Sequence, residues 1–109
     1  MKKKILILGY SSLFKKRILN VLLKNNIKFC IASKSSAQKE KMAFSWYRSY
    51  SFALNHSNAD LVYISLPNAF HYHWAKKALS KNYHVIVDKP ISENYSQAKN
   101  LIKNSNIVT

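Results

Sequence analysis

Residues 59–90, ADLVYISLPNAFHYHWAKKALSKNYHVIVDKP, constrain the fold more than any other stretch of this chain. Residues 61–66 are a short apolar run of the kind that fits a strand buried on both faces. Pro67 and Asn68 stop it, because proline removes a ladder donor and asparagine favours turns. Residues 69–79 then carry Phe70, Trp74, Ala75, Ala78 and Leu79 at helical spacing. Residues 83–87 form a second β-branched run, which Asp88, Lys89 and Pro90 end. Strand, helix and strand in that order predict a parallel pair joined by a crossover. In such sheets ligands bind at the carboxyl ends of the strands, where Pro67, Asn68, Asp88 and Lys89 fall.

The rest of the chain repeats the alternation. Residues 4–8 read as a first strand, with Gly9 and a turn leading into a helix over 12–24 for which Ser11 and Ser12 are plausible caps. Asn25 and Asn26 end it, and residues 27–32 read as a second strand. A weakly patterned helix over 37–44, a very short strand at Trp46 and Tyr47, and a short helix over 50–56 follow. Residues 94–103 read as a last helix with Ala98, Leu101 and Ile102 on one face, and Ile107 and Val108 begin a sixth strand. The expected fold class is α/β, a doubly wound parallel sheet (Rossmann-like) in the order 3-2-1-4-5, in a single domain.

Composition narrows the function classes. A chain of 109 residues is one small domain that buries roughly two-thirds of its unfolded surface. No apolar run approaches the ~20 residues needed to cross a membrane, and the basic start lacks a signal-peptide cleavage site. One cysteine, Cys30, cannot pair internally, which suits a reducing cytoplasm. The net charge of +14 raises nucleic acid as a partner. Only residues 2–4 and 15–17 cluster, however, and no nucleic-acid-binding motif is present, so specific nucleic-acid binding is not expected. His71 and His73 are not a metal pair, since residues two apart point to different helix faces, and no metal site is expected. His56 and His84 read as ordinary surface or helix-adjacent histidines.

The pattern D-x-V-x-I-x-x-P-N-x-x-H, a helix, then H-V-x-x-E-K-P resembles the Gfo/Idh/MocA oxidoreductases, the glucose-fructose oxidoreductase and inositol dehydrogenase group. The chain supplies Asp60, Val62, Ile64, Pro67, Asn68, His71, His84, Val85, Lys89 and Pro90, with Asp88 in place of the usual glutamate. The resemblance covers the amino-terminal dinucleotide-binding domain of that family, so the chain reads as a domain truncated before a substrate-binding domain. It implies cofactor contacts from Gly9, Tyr10, Ser11, Ser12 and Leu13, from Ser33 and Lys34, from Leu66, Pro67, Asn68 and His71, and from Asp88 and Pro90. It implies that Lys89 reaches the substrate hydroxyl or the nicotinamide ribose as the catalytic group, and that Pro67 and Asn68 line the nicotinamide-ribose end.

Two departures bear on the cofactor. The G-x-G-x-x-G/A motif takes small residues for the tight turn, for pyrophosphate approach and for helix-to-sheet packing. Its three positions here are Gly9, Ser11 and Phe14, and a ring at the third is expected to push the helix away from the sheet. The second strand ends in Ala32-Ser33-Lys34-Ser35, without the acidic residue of NAD-preferring domains. By resemblance to NADP-using members, Lys34 suits a ribose 2′-phosphate, so weak binding of NADP, with NAD as the other candidate, is expected. Two functions stand side by side. One is the NAD(P)-binding part of an oxidoreductase for a sugar or sugar-like alcohol, inactive in isolation, with its substrate bound only in a longer parent and with homo-oligomers allowed. The other is a non-catalytic Rossmann nucleotide-binding or protein-interaction module with an eroded glycine loop.

Overall fold

The computed structural model describes residues 4–12, 14–34, 43, 45–87, 95–102 and 107–108. Six strands form one sheet: β1 Lys4–Leu8, β2 Lys28–Ala32, β3 Ser45–Tyr47, β4 Leu61–Ile64, β5 His84–Val87 and β6 Ile107–Val108. Their spatial order is β3-β2-β1-β4-β5-β6, and every pairing is parallel. Helices α1 Leu19–Lys24, α2 Tyr50–His56, α3 His71–Ser80 and α4 Tyr95–Ile102 fall between strands in sequence. The expected order of the first five strands holds, and residues 107–108 do add a sixth. The run expected to be a strand through residue 66 ends at Ile64, although the Ser65 N–H still donates to the Leu8 carbonyl at 2.8 Å. The helix expected over 37–44 lies outside the described residues, apart from the isolated Ala43.

Both faces of the sheet are covered, which is why its strands are apolar without strict alternation. Leu6, Leu8, Cys30, Ala32, Val62, Ile64, Val85 and Val87 pack on one face with Ala53 and Leu54 of α2 and Ala75, Ala78 and Leu79 of α3. Ile7, Phe29 and Ile31 face the other way, against Phe14 and Leu22. A buried strand residue contributes about 1.5–3 kcal/mol of apolar transfer. β1 carries three consecutive ones, Leu6, Ile7 and Leu8, all fully buried.

A doubly wound domain with a single glycine must end its helices by other means. Asparagines do so here. Asn26, Asn58 and Asn82 adopt left-handed backbone at φ 55°, 53° and 66°. This is the conformation glycine usually supplies and asparagine tolerates best among the others. After α1 the Ile27 N–H reaches back to the Leu22 carbonyl at 2.9 Å, and after α3 the Tyr83 N–H reaches Ala78 at 3.2 Å. Both contacts satisfy carbonyls that a helix end leaves unpaired.

Candidate functional site

The chain runs from β1 toward β2 and β3 on one side of the sheet, and from β4 toward β5 and β6 on the other. The carboxyl ends of β1 and β4 therefore flank a topological switch point, where crossover connections diverge and open a crevice. Gly9 follows β1 there at φ +97°. A Cβ on it would stand 2.7 Å from the Ser65 carbonyl oxygen and 2.9 Å from Leu66 Cδ2. Only glycine permits both that angle and that approach.

Serine replaces the second small residue of the loop, and its hydroxyl is engaged. Ser11 Oγ accepts the Phe14 N–H at 3.0 Å and shares a 2.5 Å hydrogen bond with Ser65 Oγ across the crevice. Ser11 is thus the cap, while Ser12 is exposed. Phe14 is accommodated rather than excluded. Its ring is fully buried in the cluster of Ile7, Leu22, Phe29 and Ile31, and the backbone opens into a π-helical turn over Phe14–Ile18 before α1 begins. A π turn holds more residues per turn than an α turn, so a bulky side chain enters without breaking the element. Tyr10 lies edge-on to Trp46, with ring centroids 5.3 Å apart, and Lys15 Nζ stands 4.4 Å from the Tyr10 ring centre.

Beside the crevice lies a cavity of about 530 Å³, within the range of small-molecule sites. Lys34, beyond β2, and Tyr50, at the start of α2, line it. So do Leu66 and Pro67, beyond β4, and Phe70, His73 and Trp74 at and after the turn into α3. The structure thus brings Pro67 and Lys34, expected at opposite ends of a dinucleotide, to one cavity. Ser33 is buried behind it and donates its N–H to the Tyr47 carbonyl at 2.9 Å. Asn68 is exposed in a short 3-10 turn, Asn68–Phe70, that leads into α3.

His71 is only 1% exposed, and its Nε2 lies 2.7 Å from the Leu66 carbonyl oxygen. A carbonyl only accepts, so this nitrogen carries the proton and the ring props the turn beyond β4. Asp60 braces the opposite end of the sheet. Its carboxylate accepts the Lys4 N–H at 2.9 Å, and its own N–H donates to the Lys4 carbonyl at 2.8 Å. Leu13, Asp88, Lys89 and Pro90 lie outside the described residues.

Sequence reasoning missed Ser65, Tyr50 and His73, and placed Phe70 and Trp74 only on the apolar stripe of a helix. Phe70, 51% exposed, lines the cavity, and Trp74 is half-buried against Tyr50, ring centroids 5.1 Å apart. The signal was the excess of aromatics over what one face of a short helix can bury. Burial pushes the Tyr50 hydroxyl above its ordinary 10.0, opposed by a hydrogen bond from the Lys34 backbone. Among the described residues no helix is long and apolar enough to cross a membrane, and no group of three or more potential metal ligands gathers.

Comparison with known proteins agrees with this architecture. Residues 3–106 match the Gfo/Idh/MocA family, described as an oxidoreductase family with an NAD-binding Rossmann fold. An uncharacterized oxidoreductase of Escherichia coli, YdgJ, is 47% identical over 47 residues, 43% of this chain and 14% of that protein. The 3-ketoreductase KijD10 of Actinomadura kijaniata, solved with TDP-benzene and NADP, superposes with a TM-score of 0.86 at 23% identity, over 96% of this chain and 35% of that one. The scyllo-inositol dehydrogenase of Lactobacillus casei, solved with NAD(H) and scyllo-inositol, gives 0.84 at 24% identity, over 98% and 35%. The chain thus spans about a third of the length of these solved structures. With the family matched over nearly its whole length, the chain belongs to the Gfo/Idh/MocA oxidoreductases and forms their NAD-binding Rossmann domain.

Proposed function

We propose that this domain binds NADP(H) in preference to NAD(H), as the cofactor half of an oxidoreductase acting on a sugar or sugar-like alcohol. One observation carries the cofactor choice: Lys34 lines the cavity beside the switch point, where a ribose-binding carboxylate would stand in an NAD-preferring domain. The Gly9 cradle, which a single Cβ would fill, fits the close approach of a diphosphate. Tyr50, Phe70 and Trp74 offer flat apolar surface for an adenine, and the Lys34 ammonium offers charge to a 2′-phosphate. The bound nicotinamide would supply hydride transfer.

The chain's own groups bind and orient. By resemblance, Lys89 positions the substrate hydroxyl and eases its proton transfer. The sugar-like substrate follows from relatives such as the inositol dehydrogenase, whose structure holds scyllo-inositol. We expect no turnover from these 109 residues alone, because hydride transfer needs a closed, aligned site.

Titration of the tryptophan fluorescence with NADPH and NADH tests the reading. NADPH binding more tightly, with the preference lost or reversed in Lys34→Asp, is the expected result. Equal affinities unchanged by that substitution remove it. Failure of both to bind would favour the non-catalytic module, for which one observation speaks: the Ser11 hydroxyl already caps the Phe14 N–H that a diphosphate would use.

A further inference from the structure

Resting on the NADP(H) reading above, we infer that Tyr50 is a positioning residue for Lys34 and sets how strongly the domain discriminates a phosphorylated from an unphosphorylated ribose. Lys34 is exposed and follows the end of β2, so its four-carbon stem has many rotamers to choose among. The Tyr50 ring restrains its charged end. The ammonium lies 5.7 Å from the centre of the Tyr50 ring, within reach of a cation–π attraction. Both side chains line the same cavity, so the ring and the ammonium meet where a ligand would enter.

Tyr50 is itself held. It is the first residue of α2, whose cap Ser49 accepts the Phe52 N–H at 3.1 Å, and its ring meets Trp74 edge-on at 5.1 Å. Trp74, Tyr50 and Lys34 thus form a chain from α3 across the cavity to the ammonium. A cation aimed in this way loses less rotamer freedom when it meets a phosphate. The gain applies only to the ligand that carries the phosphate.

Ring contact of this kind contributes about 0.5–1 kcal/mol at an exposed site, so Tyr50→Leu should lower the NADPH-to-NADH affinity ratio about two- to fivefold. Tyr50→Phe keeps the ring and should retain most of the ratio, as expected if the ring rather than the hydroxyl aims the ammonium. In a Lys34→Ala background, Tyr50→Leu should leave the ratio unchanged. Circular dichroism and the melting temperature of each variant establish that it is folded. A ratio unaffected by Tyr50→Leu in the folded protein, or lowered equally with and without Lys34, overturns the inference while leaving the NADP(H) reading intact. A wild-type protein without preference for NADPH overturns both.

Discussion

Gly9 is the residue on which the crevice depends most directly. Gly9→Ala forces a Cβ to within 2.7 Å of a backbone carbonyl at φ +97°, and neither strain relaxes without separating β1 from β4. We expect it to cost about 2 kcal/mol or more in urea unfolding. Cys30 makes a second case at this scale. It is fully buried, and burial pushes its thiol above the ordinary 9.0, with Lys4 the largest of the opposing influences. The folded protein therefore holds the thiol proton more tightly than the unfolded chain. The stability this contributes is complete below the unfolded thiol's pKa and is lost as pH rises through the folded one. Unfolding free energy should decline above about pH 9, less so in Cys30→Ala, and a thiol reagent at neutral pH should label the protein only on denaturation. Some of the site was legible in single residues: Gly9 from the motif, Lys34 from the missing acid, Pro67 from its place at a strand end. Ser65 and Tyr50 were not, because each matters through a partner far away in sequence, Ser11 and Lys34 respectively.

At the scale of elements, substitutions at two positions separate packing from capping. Phe14 occupies the motif position that usually takes a small residue, yet it is a core side chain. Phe14→Ala should therefore cost about 3–5 kcal/mol rather than repair the loop, as measured by chemical denaturation. Asn82 closes α3 at φ 66°. Asn82→Gly should match or slightly exceed the native stability, whereas Asn82→Ala should lower the free energy of unfolding by about 1 kcal/mol. The strands and α2 were legible because β-branched runs and turn residues alternate cleanly along the chain. The start of the first helix was less so: residues 12–24 carry one apolar pattern, but burial of Phe14 imposes a π turn before α1. The spacing over 69–79 marked one apolar stripe. Its Ala75, Ala78 and Leu79 are buried, while Phe70 and Trp74, near the start of α3, line the cavity instead. Periodicity reports which face is apolar, not whether that face ends at a core or at an opening.

For the molecule as a whole, the sheet order could be inferred because crossovers between parallel strands leave few topologies open. That order has a consequence during synthesis. β1 precedes all the other strands in sequence and lies in the interior of the sheet, between β2 and β4. Its pairing with β2 brings Ile5 opposite Phe29, whereas its pairing with β4 must wait for Leu61. At ribosomal speeds of about 5–20 residues per second, that interval lasts on the order of seconds. During it the edge of β1 that will face β4 has no partner. The crevice between β1 and β4 comes into being only when that edge is closed. A nascent chain thus passes through a stage in which a strand destined for the interior of the sheet has one edge open to a chaperone or to another copy of itself.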